Sequence, residues 1–138
     1  NGRTYSKKLR RYIMTKALVT GGAGFIGSNM VVDLLDNSNN NEVVAIDNFS
    51  TGSKINLEPF LYNPSLEMHN FSSGDLCPSN TKDIDVIYHF GMPSNSLLYK
   101  EDPFLVSEAI DDFIGILECA KENDIKIVFA STSSLYDP

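Results

Sequence analysis

Cysteine is scarce in this chain of 138 residues, and the two present, Cys77 and Cys119, stand far apart and form no metal-type pair. Cys119 falls on the apolar side of a helical pattern, which suits a buried free thiol. Such sparing use of cysteine fits a reducing, cytoplasmic setting. No apolar stretch approaches the ~20 residues that a membrane-crossing helix needs, and no apolar segment follows the basic N-terminus as it would in a signal peptide. No membrane partner is therefore expected. Neither His69 nor His89 stands in a catalytic constellation: the first has no partner in view, and the second ends a strand. Basic residues are also few once the N-terminus is passed. Residues 1–13 hold Arg3, Lys7, Lys8, Arg10 and Arg11 with no acid, whereas the remainder sets six lysines against 18 acids, within a net charge of −7. The acidic body argues against nucleic-acid binding by the domain itself. The basic stretch 1–13 reads as an extension or tag-like arm ahead of a start at Met14, with an anionic partner as the alternative. Residues 14–138 are one domain's length.

Glycine, by contrast, is concentrated. Gly21-Gly-Ala-Gly24-Phe-Ile-Gly27 follows directly on the apolar run Ala17-Leu18-Val19-Thr20, and Asp47 stands at the end of the next β-branched run, Glu42-Val-Val-Ala-Ile46. An acid about 20 residues past such glycines is the expected partner of a ribose in a dinucleotide site. Gly21 and Gly22 permit a sharp turn out of the strand. Gly24 leaves the loop bare for pyrophosphate oxygens, and Gly27 lets helix and sheet pack closely. The helix start offers unpaired N–H groups to the phosphates. Its apolar face reads as Ile26, Met30 and Leu34, with Phe25 and Val31 flanking. The Asp47 carboxylate can accept from both ribose hydroxyls and would repel the extra phosphate of NADP, so NAD is the predicted cofactor. Two plainer readings stand beside this one: a glycine turn serving only strand-to-helix packing, and an Asp that merely caps its own turn.

The rest of the chain alternates in the same manner. Strands are predicted near 16–20, 42–47, 66–71, 85–89 and 126–130, with helices near 24–37, 55–60 and 103–123. Asp102 and Pro103 open the longest helix as cap and first residue, and Asn123 is its stop signal. Val106, Ala109, Ile110, Phe113, Ile114, Leu117 and Ala120 form its apolar stripe. Long crossovers between strands predict an α/β fold, a doubly wound parallel sheet of Rossmann type with five strands. Sites in such sheets lie beyond the carboxyl ends of the strands, where every motif above falls.

With these residues in hand, the chain resembles the NAD-dependent epimerase/dehydratase family, the UDP-glucose 4-epimerase-like extended short-chain dehydrogenase/reductases that act on nucleotide sugars. The resemblance rests on Val19-Thr-Gly-Gly-Ala-Gly-Phe-Ile-Gly-Ser28, Asp47-Asn-Phe-Ser-Thr-Gly52, Gly74-Asp75-Leu76, Tyr88-His-Phe-Gly91 and Phe129-Ala-Ser-Thr-Ser-Ser-Leu-Tyr136. It implies that Gly21, Gly24, Phe25, Ile26 and Gly27 hold the pyrophosphate, and that Asp47 and Asn48 hold the adenosine ribose. It further implies that Asp75 and Leu76 contact the adenine, and that Phe90 and Gly91 line the second phosphate and ribose. Thr132 would be the catalytic hydroxyl that bonds the sugar hydroxyl being oxidised. The implied chemistry is reversible hydride transfer on a nucleotide-sugar substrate, with an ionised Tyr taking the proton and a Lys lowering its pKa.

The chain departs from the family pattern at several points. The Tyr-x-x-x-Lys pair, expected after Tyr136, is missing before Pro138, and Tyr12-Ile-Met-Thr-Lys16 matches it by letters alone, ahead of the first strand. Asp137 replaces the usual Gly, Glu108–Asp112 lacks the nicotinamide-side Asn, and Gly91–Ser96 lacks a Lys used on substrate phosphate. The C-terminal part of the family fold is thus expected to be missing and the chain alone inactive, a non-catalytic NAD-binding module or inactive fragment being the alternative. A full-length protein would be a homodimer. Without the helix that normally covers it, apolar surface at Val106, Ile110 and Phe113 and along the fifth strand should be exposed.

Overall fold

The structure, a computed structural model, describes residues 15–37, 41–93 and 95–132. The basic arm at 1–13, and with it Tyr12, lies outside the described residues, as do Ser133, Ser134 and Tyr136. Five strands form one parallel sheet: β1 (Thr15–Thr20), β2 (Asn41–Ile46), β3 (Leu66–His69), β4 (Val86–His89) and β5 (Lys126–Phe129), in the order β3-β2-β1-β4-β5. The helices are α1 (Phe25–Asp36), α2 (Ser96–Glu101) and α3 (Phe104–Asn123), with 3-10 turns at Lys54–Phe60 and Ser73–Asp75. This is the doubly wound sheet expected from the alternation of strands and long crossovers.

Both faces of the central strands β1 and β2 are buried, which explains why they are apolar throughout rather than at alternate positions. Leu18, Val44, Ile46 and Ile87 point to the side that Ile116 and Cys119 of α3 cover. Val19, Val43 and Ala45 point the other way, onto Val31 of α1 and Leu57. Cys119 is a buried free thiol, as expected.

Register brings three strand ends to one level. Thr20 pairs with Ile46 on one side and with His89 on the other. Gly21, Asp47 and Phe90 therefore leave the sheet side by side, at the point where the strand order reverses.

The helix faces differ from expectation. On α1 the buried residues are Gly27, Ser28 and Val31, while Met30 and Leu34 are half-buried. Phe25 is 85% and Ile26 60% exposed, so neither joins the apolar face. The reason is the close seat of Gly27, which turns the first helical turn so that its neighbours look outward. On α3 the buried face is Ile116, Cys119 and Ala120, with Ala109 and Phe113 half-buried. Val106, Ile110, Ile114 and Leu117 lie on a second, exposed apolar stripe, as do Val128 and Phe129 on the outer strand β5. Of the three α3 residues expected to be exposed, Phe113 is the exception, because its ring stacks on His89 and packs against Phe129.

Boundaries shift by a residue or two. The carboxylate of Asp102 accepts from Phe104 N at 3.0 Å, but α3 begins at Phe104 with Pro103 in the cap position, one residue later than expected. The left-handed terminator is Asp124 (φ 55), one residue beyond Asn123, whose side chain instead donates to the Pro78 carbonyl. The short helix α2 was not foreseen; Asn95 caps it by accepting from Leu97 N.

Candidate cofactor site

The turn out of β1 is shaped by contact between two backbones. Gly21 takes φ 64, the left-handed region that favours glycine. A Cβ on Gly21 would lie 2.8 Å from Gly91 Cα, so the glycine loop and the segment leaving β4 touch with no room for a side chain. Gly27 is equally constrained, since a Cβ there would meet the Gly21 carbonyl.

Thr20 holds this junction together. Its Oγ1 lies 2.9 Å from Gly91 N, 3.2 Å from Phe90 N and 2.8 Å from His89 Nδ1. The Phe90 N–H is shared between this hydroxyl and the Thr20 carbonyl at 3.3 Å, so Thr20 ties the end of β1 to the first residues past β4. The Nε2 of His89 is buried without a hydrogen-bond partner, and burial pushes the imidazole pKa down to about 4. His89 is thus a neutral packing and hydrogen-bonding residue at neutral pH.

The N-terminus of α1 is left open. Its cap is Gly24, no side chain bonds the first-turn N–H groups, and the first turn carries no acid. Those groups and the helix dipole favour an anion here, and exposed Phe25 and Ile26 leave the main chain approachable.

Asp47, 7% exposed, faces this loop. Its Oδ2 accepts from Ala23 N at 2.9 Å and its Oδ1 from Phe49 N at 2.8 Å. The turn-capping role considered for Asp47 is therefore real, and each oxygen keeps a further lone pair for a ribose hydroxyl. Asn48 is exposed, and its side chain accepts from Ser50 N. Asp75 is exposed and closes a reciprocal cap with Ser72, whose N–H donates to Asp75 Oδ2 at 2.9 Å. The side chain of Leu76 lies in the hydrophobic core. The Ser73 hydroxyl donates to the Gly91 carbonyl at 3.3 Å, tying the Asp75 turn to β4. The carboxylate of Asp112 on α3 accepts from the Ser72 hydroxyl at 3.2 Å, and burial raises its pKa.

The structure thus gathers Gly21, Gly24, Gly27, Asp47, Phe90 and Gly91 at adjoining strand ends. Thr132 is exposed beyond β5, one strand further from the glycine loop. Sequence reasoning missed Thr20, Ala23, Asn56 and Ser73, which hold the site from behind. Only Thr20 left a signal, as the hydroxyl residue immediately before the first glycine. Among the described residues no group of three or more His, Cys, Asp or Glu side chains could hold a metal ion, and no helix is long and apolar enough to cross a membrane.

A doubly wound parallel sheet with a bare glycine loop, an open helix N-terminus and a strand-end acid defines a dinucleotide-binding domain of Rossmann type. The chain belongs to the NAD dependent epimerase/dehydratase family, which it matches over residues 17–138. It is 37% identical over 125 residues to UDP-glucuronic acid decarboxylase 6 of Arabidopsis thaliana, covering 89% of this chain and 35% of that protein. UDP-N-acetylglucosamine 4-epimerase from Methanobrevibacter ruminantium, solved with UDP-N-acetylmuramic acid, superposes with TM-score 0.79 at 30% identity, covering 90% of this chain and 40% of that one. The dTDP-glucose 4,6-dehydratase DesIV of Streptomyces venezuelae, a double mutant solved with NAD, gives TM-score 0.79 at 29% identity, covering 87% and 40%. The chain therefore spans little more than a third of the length of these relatives.

Proposed function

We propose that residues 14–138 are the NAD-binding portion of a nucleotide-sugar epimerase, dehydratase or decarboxylase that works by reversible hydride transfer at a sugar hydroxyl carbon. The observation that carries this is the Asp47 carboxylate seated 2.9 Å from Ala23 N, at the mouth of an uncapped helix N-terminus. When bound, NAD supplies the two-electron acceptor for the sugar carbon. The main chain at Gly24, Phe25 and Ile26 holds the diphosphate, and the close packing at Gly21 and Gly27 shapes the loop that presents it. The spare lone pairs of Asp47 accept from the adenosine ribose hydroxyls, with Asn48 beside them. Asp75 orients the adenine through its exposed carboxylate, and Leu76 contributes main chain only. Phe90 and Gly91, fixed by Thr20, line the crevice further along. The Thr132 hydroxyl bonds the sugar hydroxyl that loses its proton.

Relatives named for UDP-glucuronic acid and other UDP- or dTDP-sugars support a nucleotide sugar as the partner. Outside Tyr12–Lys16 the sequence supplies no Tyr-x-x-x-Lys pair. On this reading the 138 residues by themselves hold the cofactor without turning over a sugar, and the full-length protein is a homodimer. The free thiols of Cys77 and Cys119 support a reducing, cytoplasmic setting.

Calorimetric titration tests the reading. NAD should bind more tightly than NADP, and Asp47→Asn should weaken NAD while narrowing that gap. Equal affinity for the two cofactors, or binding of neither, would refute it.

A further inference from the structure

The glycine loop is held on both sides of a single buried residue. The N–H of Ala23 donates to Asp47 Oδ2, and its carbonyl accepts from Ser53 N at 3.0 Å and from Asn56 Nδ2 at 2.8 Å. All three partners belong to one stretch, 47–56, which leaves β2 and runs into the 3-10 turn at Lys54–Phe60.

That stretch is itself tightly determined. Phe49 takes φ 57, a left-handed conformation that a bulky residue rarely adopts, while its N–H donates to Asp47 Oδ1. A Cβ on Gly52 would lie 2.7 Å from Asp47 Oδ2, so the loop folds directly against the carboxylate. Backbone strain of this kind persists only where the surroundings over-determine it.

The two Ala23 bonds act on different peptide planes. Asp47 orients the plane between Gly22 and Ala23. Ser53 and Asn56 orient the plane between Ala23 and Gly24, whose N–H closes the turn onto the Gly21 carbonyl at 3.0 Å. Gly24 is the cap of α1, so this second plane sets the aim of the helix start.

We propose that residues 47–56 form a brace that fixes the glycine loop in its diphosphate-accepting shape, with Asn56 as a positioning residue acting through the Ala23 carbonyl. The proposal rests on the dinucleotide-binding reading above and assigns a role to a side chain through its bond to the loop's main chain. A loop already held in its bound shape has less freedom to lose on binding, so releasing it weakens diphosphate ligands selectively.

The test compares Asn56→Ala and the similarly shaped Asn56→Leu with the unsubstituted chain, titrating ADP, NAD and adenosine and recording thermal unfolding. Loss of one hydrogen bond should weaken ADP and NAD by about three- to tenfold, and adenosine, which lacks the diphosphate, should keep its affinity. Unchanged ADP binding in both variants, or a parallel loss of adenosine, overturns the proposal. If the unsubstituted chain binds neither ADP nor NAD, the dinucleotide reading itself fails.

Discussion

Replacing Gly27 by alanine sets two effects against each other. Gly27 lies in the first turn of α1, and by helix propensity alone the change should stabilise the chain by roughly 0.5–1 kcal/mol. Packing opposes it. The added methyl would meet the Gly21 carbonyl oxygen and would lie 2.7 Å from the Gly21 carbonyl carbon and 3.0 Å from Gly22 Cα. All three are backbone atoms of a loop that is itself pressed against Gly91, so no flexible side chain can give way. Overpacking a well-filled interior costs about 1–3 kcal/mol, and a backbone obstacle places this case at the upper end. The net expectation is a loss of about 2 kcal/mol, which for a chain of this length lowers Tm by roughly 8 °C. Thermal unfolding of the free chain, without cofactor, isolates packing from ligand binding. An unchanged or raised Tm would show that the helix start is not seated on the Gly21 carbonyl and would refute the reasoning.

Three further outcomes follow from particular residues. The His89 imidazole, pushed down to about 4, stays neutral in the fold while the unfolded chain protonates near 6.5. Its contribution is therefore whole above pH 6.5 and is lost as pH falls toward 4, by about 3 kcal/mol in all. Urea unfolding should show this slope, and His89→Asn, which cannot titrate, should remove it; an unaltered slope excludes His89 as the source. In the full-length protein, Thr132→Ala should slow sugar oxidation in single-turnover kinetics while leaving NAD affinity unchanged, and a fall in NAD affinity instead would place Thr132 with the cofactor. The exposed stripe Val106, Ile110, Ile114 and Leu117 should make the isolated chain self-associate. Sedimentation should detect this, and glutamate at Ile110 and Ile114 should relieve it; a monodisperse unsubstituted monomer counts against it.

Much of the architecture was legible because local pattern and global fold agree here. Apolar runs of four to six residues, each followed by turn residues, could only be buried strands once long crossovers separated them. The asymmetry of Gly21–Gly27 followed by Asp47 points to one crevice from spacing alone. Helix faces were less legible. On α3, apolar residues cover more than one face, so periodicity alone could not say that Ile116 and Cys119 go inward while Val106 and Ile110 stay outside. On α1, Ile26 fits an apolar spacing, yet the contact between Gly27 and Gly21 rotates it outward. The six residues of α2 are too few to display a helical period.

The sequence by itself determined the order of the five strands and the two long helices, the glycine turn and the acid that faces it, because spacing along the chain fixes those features. Only the tertiary structure decided that Thr20 links His89 to Gly91, and that Asn56 grips Ala23 from 33 positions away. Hydrogen bonds of that kind depend on which strand ends lie at one level, and parallel register, rather than the residues' own neighbours, sets that level.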